Sequence, residues 1–249
     1  MKIALCLWGH FRSFLTCWPS LERNIIKPYQ PDVFASAWGD SMGVYLPSAD
    51  TPNITTHPGY NLRSPSVTSD FLKRMIDCVN PIDLHLDHFF LKDPIFDAML
   101  TNLKDYHDYD HAHRPKGTLS LNYIRHISVK LKELHELKHN FKYDRVIIAR
   151  WDLHYYGPID IFSYDPNILI CPEPGGRGNG GWGYDNPGDV WSVASSDIID
   201  IYGDQFIGIG ELVNLGKMTL QTHQWQKNWL EYKNVTWENR PEIELKCVR

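Results

Sequence analysis

The chain has 249 residues, 43% of them hydrophobic and 22% charged, with a net charge of −5. Length and composition of this kind suit one globular α/β domain over residues 1–249 with a full core, and the scattered basic residues exclude a surface that tracks nucleic-acid phosphates. The apolar run Ile3–Trp8 is too short for a signal peptide or a membrane span, and five widely spaced cysteines without a CxxC pair read as reduced thiols of a soluble cytoplasmic protein.

Lys2–Trp8, unbroken in its hydrophobicity, predicts a buried central strand that Gly9 terminates. A helix is expected over Phe14–Ile26 and a second strand over Asp32–Trp38, stopped by Gly39-Asp40. Residues 41–68, rich in Ser, Thr, Pro and Asn, read as an irregular excursion. A short helix over Ser69–Cys78 and a strand over Ile82–Leu86 follow. The clearest helix is expected from about Thr118 to Asn140, with Ile124, Ile127, Leu131 and Leu134 as its apolar stripe and lysines and glutamates on the other face. Strands are then expected at Arg145–Trp151 and Asn167–Cys171. A glycine-rich segment, 175–188, leads through Val190–Ala194 into a helix near Ser195–Tyr202. The tail from Gly210 reads as partly helical, with Trp225 and Trp229 on one side.

This alternation, without repeats, predicts a mainly parallel sheet with helices on both faces. Ligands of such sheets sit beyond the carboxyl ends of the strands. In Arg150-Trp151-Asp152-Leu153-His154, alternation would point Arg150, Asp152 and His154 one way if the extended geometry persists. Asp152 and His154 could then take Mn²⁺ or Mg²⁺, and Arg150 could hold a phosphate oxygen or orient Asp152; a structural Arg–Asp pair closing the strand end is the plain alternative. After the first strand comes Trp8-Gly9-His10-Phe11-Arg12-Ser13, where Gly9 permits a tight turn and Arg12 and Ser13 open a helix whose free N–H groups favour an anion. Asp40 could reach a ribose or a uracil edge, or simply form a turn. Ser120, Asn122 and Arg125 lie early on the long helix, off the expected apolar stripe, and read as either ligand-facing or solvated; that helix feeds the Arg150 strand, so its amino-terminal half is expected away from the strand's carboxyl end. Asp108-Tyr109-Asp110 is a literal D-x-D, but it follows no apolar strand that would fix its carboxylates. The glycine-rich segment holds seven glycines together with Arg177, Trp182, Tyr184 and Asp185, a mixture suited to a hinged loop over a ligand.

In order along the chain stand G-x-x-R-S after the first strand, W-x-D after the second, and Y-D-x-V-I-x-x-R-x-D later. This pattern resembles the small GT-A nucleotide-sugar glycosyltransferases that carry R-x-D in place of D-x-D, such as those of bacterial surface-polysaccharide synthesis and the capsid-glycan transferases of large algal viruses. The likeness covers about residues 2–205. It implies a GT-A-like fold with a nucleotide-binding part near 1–155 and an acceptor part near 156–249. It further implies an enzyme that moves a sugar from a UDP- or GDP-linked donor to a glycan or other hydroxyl, with Mn²⁺ or Mg²⁺. On the same resemblance Asp152 holds the metal and the donor diphosphate, Gly9, Arg12 and Ser13 line the nucleotide cleft, and Asp189 faces the sugar, with Asp185 next in line. The sequence offers D-x-H where the family's usual second carboxylate would stand. Two other readings are a sugar nucleotidyltransferase, although Gly9-His-Phe-Arg12 lacks the G-x-G-T-R loop, and a non-catalytic sugar-binding domain.

Overall fold

In the computed structural model the described residues are 1–11, 13–39, 67–106, 115–173 and 186–248. The expectations that fall on Arg12, Asp40, 41–66, the Asp108/Asp110 pair and 175–185 (with Asp185) lie outside them.

Strand β1 (Ile3–Trp8) is followed by α1 (Phe14–Leu21), which continues through a π turn (Glu22–Ile26) into a last turn, α2 (Lys27–Tyr29). Gln30, at φ 44°, ends this helix, three residues beyond the expected stop. Then come β2 (Asp32–Trp38), α3 (Ser69–Val79), β3 (Asp83–Asp87), α4 (Phe89–Asn102) and α5 (Pro115–His139). The second half contains β4 (Arg145–Arg150), β5 (Leu153–Tyr155), β6 (Leu169–Pro172), β7 (Trp191–Ala194), α6 (Ser196–Gly203), α7 (Ile209–Asn214), α8 (Thr222–Tyr232), β8 (Trp237–Arg240) and β9 (Leu245–Cys247).

Seven strands form one sheet in the order β3-β2-β1-β4-β7-β6-β8. β3, β2, β1 and β4 are parallel, β7 runs antiparallel to both of its neighbours, and β8 is parallel to β6. The expected α/β class with a mostly parallel sheet is present. β5 and β9 pair separately as a two-stranded antiparallel sheet.

The unbroken apolar strands are explained by burial on both faces. Alternate residues of β1 go to opposite cores: Ala4, Cys6 and Trp8 pack with side chains of α4, α5, α6, α7 and α8, whereas Ile3, Leu5 and Leu7 pack with α1, α3 and residues of the small sheet. Helix α4, interrupted by Pro94 and not among the expected elements, is fixed by packing of Phe89 and Phe96 on the Trp38 ring at 5.4 and 6.3 Å between centroids.

The expected apolar stripe of α5 is not its buried stripe. Ile124 is buried, but Leu134 is 60% exposed. The face turned inward carries Thr118, Asn122, Arg125, Val129, Lys132 and Glu136, at alternating four- and three-residue steps, all buried. Lys132 and Glu136, expected on a solvated face, join at 2.9 Å and also engage Ser196 and Asp200 of α6. A polar seam of this kind survives burial because each member is hydrogen-bonded. Among the described residues no helix is long and apolar enough to cross a membrane, and no cysteine is in a disulfide.

Candidate functional site

The chain passes from β1 to β2 and β3 on one side, then to β4 on the other, so the strand order reverses between β1 and β4. The crevice at the carboxyl ends of strands flanking such a switch point is the expected ligand position in an open α/β sheet. Trp8 and Arg150, the last residues of β1 and β4, are direct register partners there.

Gly9 sits immediately beyond at φ +106°, a conformation strained for any side chain, and turns the chain toward α1. This is the tight turn expected of it. The neighbouring Ser13 does not act as an open anion cap: its hydroxyl donates to the Val248 carbonyl, and the Val248 N–H donates to the Asp152 carbonyl at 2.8 Å. Val248, just beyond β9, therefore ties the start of α1 to the turn that follows β4. Leu245–Cys247 is too short a run to signal a strand by itself; pairing with β5 makes it one.

Arg150 and Asp152 form a bidentate ion pair, Nε to Oδ1 at 2.8 Å and a terminal guanidinium nitrogen to Oδ2 at 2.7 Å. The carboxylate side chain is 1% exposed and the guanidinium side chain 10%. Burial works against the cation, but the adjacent Asp152 carboxylate outweighs it and holds the Arg150 pKa above the ordinary guanidinium value. This is the geometry of the plain alternative noted above, and it engages both oxygens of the carboxylate expected to take a metal. His154 lies in the small sheet, opposite Lys246, with its ring against Tyr156 at 5.1 Å. Among the described residues no group of three or more His, Cys, Asp or Glu side chains could hold a metal ion. The described side chains therefore do not by themselves make a metal cage.

Because β7 is antiparallel to β4, its entry end lies at the carboxyl edge of β4. The Arg150 N–H donates to the Val190 carbonyl at 3.1 Å, so Asp189 stands beside the Arg150–Asp152 turn, and its charge is felt by Arg150, Cys171 and Tyr202. Asp189 precedes α6 as expected, but with the whole of β7 between them.

Arg125 belongs to the same place. The expectation that the amino-terminal half of α5 lies away from the strand's carboxyl end is corrected: a crossover helix runs antiparallel to the strand it feeds, so its first half lies at that end. The Arg125 guanidinium stands 5.8 Å from the Trp8 ring, and that of Arg150 stands 5.9 Å from the same ring. The reading of Arg125 as solvated fails too, because the residue is 2% exposed. Its terminal nitrogens donate to Tyr202 Oη at 2.6 Å, Asn122 Oδ1 at 2.5 Å and Gln205 Oε1 at 2.5 Å. Tyr202 and Gln205 carry no sequence signal for this role; they arrive with α6 and the turn that follows it. Trp8, a candidate for the nucleotide-sugar site, is 1% exposed, with the Arg125 and Arg150 guanidinium groups over its ring.

Comparison with protein-family models and with curated proteins gave no match.

Proposed function

We propose that this chain is a GT-A-type glycosyltransferase that moves a sugar from a UDP- or GDP-linked donor to a hydroxyl of a glycan acceptor. The observation that carries the reading is the buried Arg150–Asp152 pair at the sheet's switch point with the Asp189 carboxylate beside it. Cation, fixed carboxylate and a second carboxylate at one strand end are the parts that displacement at an anomeric carbon requires. Arg150 faces charge that grows on the departing diphosphate, and Asp152 fixes its orientation. Asp189, for which no hydrogen bond or ion pair is found among the described residues, takes the proton of the acceptor hydroxyl as that oxygen bonds to the anomeric carbon and the bond to the diphosphate breaks. Mn²⁺ or Mg²⁺ would accompany the donor diphosphate and offset its charge. Cysteines without disulfides support a reducing, cytoplasmic setting.

The test incubates the protein with UDP- and GDP-sugars and Mn²⁺ and follows donor hydrolysis and nucleotide-dependent melting, with and without EDTA. Nucleoside diphosphate at a hundred times its Kd adds about 2.7 kcal/mol of stability, and Asp189→Asn lowers turnover about 10²- to 10⁴-fold with little change in nucleotide Kd. A melting point indifferent to every nucleoside diphosphate overturns the proposal. A non-catalytic sugar-binding domain is the second reading, favoured by the mutual satisfaction of Arg150 and Asp152; it gives binding without hydrolysis.

A further inference from the structure

Arg125 is a buried cation with an unusual set of partners. The three acceptors on its terminal nitrogens, Tyr202 Oη, Asn122 Oδ1 and Gln205 Oε1, are all uncharged. No carboxylate of a described residue forms an ion pair with it: Asp152 has both oxygens on Arg150, and Asp189, whose charge reaches Tyr202, is not paired with Arg125. A buried guanidinium without a counter-charge is costly, and such groups are ordinarily paired with an anion.

The surroundings add donors. Arg125 Nε, Gln205 Nε2 and Trp8 Nε1 are buried N–H groups without an acceptor among the described residues. All three belong to one neighbourhood: Gln205 is hydrogen-bonded to Arg125, and Trp8 lies 5.8 Å from its guanidinium. Gln205 is 1% exposed and Trp8 1% exposed. The Gln205 amide cannot simply be turned over to supply an acceptor, because its oxygen already receives Arg125. Each orphaned donor carries a desolvation cost that an acceptor removes.

We infer that Arg125, Gln205 and Trp8 form an oxyanion subsite, which takes a phosphoryl or carboxylate oxygen of the ligand beside the Arg150–Asp152 pair. The inference rests on the proposed function for the identity of the whole ligand, but not for the subsite itself. It deepens that reading by requiring an acidic oxygen at Arg125: either a donor phosphate or the carboxylate of an acidic sugar.

The test uses the full chain and two variants. Gln205→Glu places a carboxylate where Gln205 Oε1 already meets Arg125, supplying the missing counter-charge from within, and Arg125→Met removes the cation. Melting is followed with sodium phosphate and with sodium acetate against sodium chloride of equal ionic strength, and Kd values are measured for UDP, UDP-glucose and UDP-glucuronate. Phosphate or acetate is expected to raise the wild-type Tm. Gln205→Glu is expected to melt higher than wild type without ligand, to lose that response, and to bind the responsive ligands about tenfold or more weakly, as loss of a charge-assisted hydrogen bond implies. Weakening of UDP itself identifies a phosphoryl oxygen, and weakening confined to UDP-glucuronate identifies a sugar carboxylate. A wild type indifferent to both anions, or a Gln205→Glu variant that keeps wild-type affinities, overturns the subsite even if nucleotides bind. A phosphate response abolished by Gln205→Glu, in a protein that ignores every nucleotide, upholds the subsite and sinks the donor reading alone. Arg125→Met is read only where it folds; the Gln205→Glu comparison decides without it.

Discussion

Replacing Asp152 by Asn takes one negative charge out of a site where the carboxylate is 1% exposed and its guanidinium partner 10% exposed. Arg150 then keeps its charge but loses its counter-charge, and of the two hydrogen bonds now at 2.8 and 2.7 Å only one still finds an acceptor oxygen, the amide NH2 facing the guanidinium in place of the other. Breaking a buried pair from one side costs about 3–5 kcal/mol, against a total stability of roughly 5–15 kcal/mol for an ordinary domain. Asp152→Asn is therefore expected to fold but to melt roughly 6–20 °C lower, at about 2–4 °C per kcal/mol for a chain of this size. The double variant Arg150→Met/Asp152→Leu removes both charges and fills similar volume, so its cost falls to within about 1 kcal/mol of wild type or changes sign. Urea unfolding of wild type, single and double variants, with the slope compared for constancy, measures this, and nucleotide Kd and donor turnover are read on the same samples. A double variant that regains stability but neither binds nucleotide nor turns over donor identifies the pair as kept for its chemistry. An Asp152→Asn cost under about 1 kcal/mol, or a double variant as unstable as the single, refutes the reasoning from burial.

Two further outcomes follow from the packing. Burial alone would raise the Glu136 pKa, but hydrogen bonds from Ser196, Lys132 and the Tyr143 N–H outweigh it and hold it below the ordinary carboxylate value. Its stabilising effect is thus full above the unfolded value of about 4.5 and is lost as pH falls through the lower folded value; Glu136→Gln should flatten that acid limb of the unfolding profile, and an unchanged limb would show that other groups control it. At Gly208 a Cβ would lie 2.1 Å from Trp229 Cζ3, and the indole is anchored by its N–H to the Ile201 carbonyl at 2.6 Å, so Gly208→Ala should cost about 1–3 kcal/mol in calorimetry, an unshifted Tm being the contrary result.

Local signals read well where one energetic preference dominates. β1, β2 and β4 have mainly apolar interiors that favour burial, and their observed bounds lie within a residue of those expected. Gly9 was legible because the turn beyond β1 needs a positive φ. Signals failed where contact decides. Pro94 and weak periodicity hid α4, the polar β8 (Trp237–Arg240) has little strand propensity of its own, and β9 is only three residues long. The long helix was placed correctly but rotated wrongly, because its type-periodicity favoured the leucines while α6 supplied hydrogen-bond partners for Arg125, Lys132 and Glu136.

By itself, then, the sequence determined the α/β class, the strands whose ends bear chemistry, and the candidacy of Arg150, Asp152 and Asp189. Only the tertiary structure decided that Arg150 and Asp152 satisfy each other, that His154 belongs to a separate sheet, that Ser13 is committed to Val248, and that Arg125 is buried beside Trp8 with Gln205. The physical reason is range. Strand burial and turn geometry are set by neighbours a few residues away, whereas the charge state of a site depends on groups separated by tens to hundreds of residues. Which of those groups meet is fixed by the strand order and by the direction of the helix that crosses between strands.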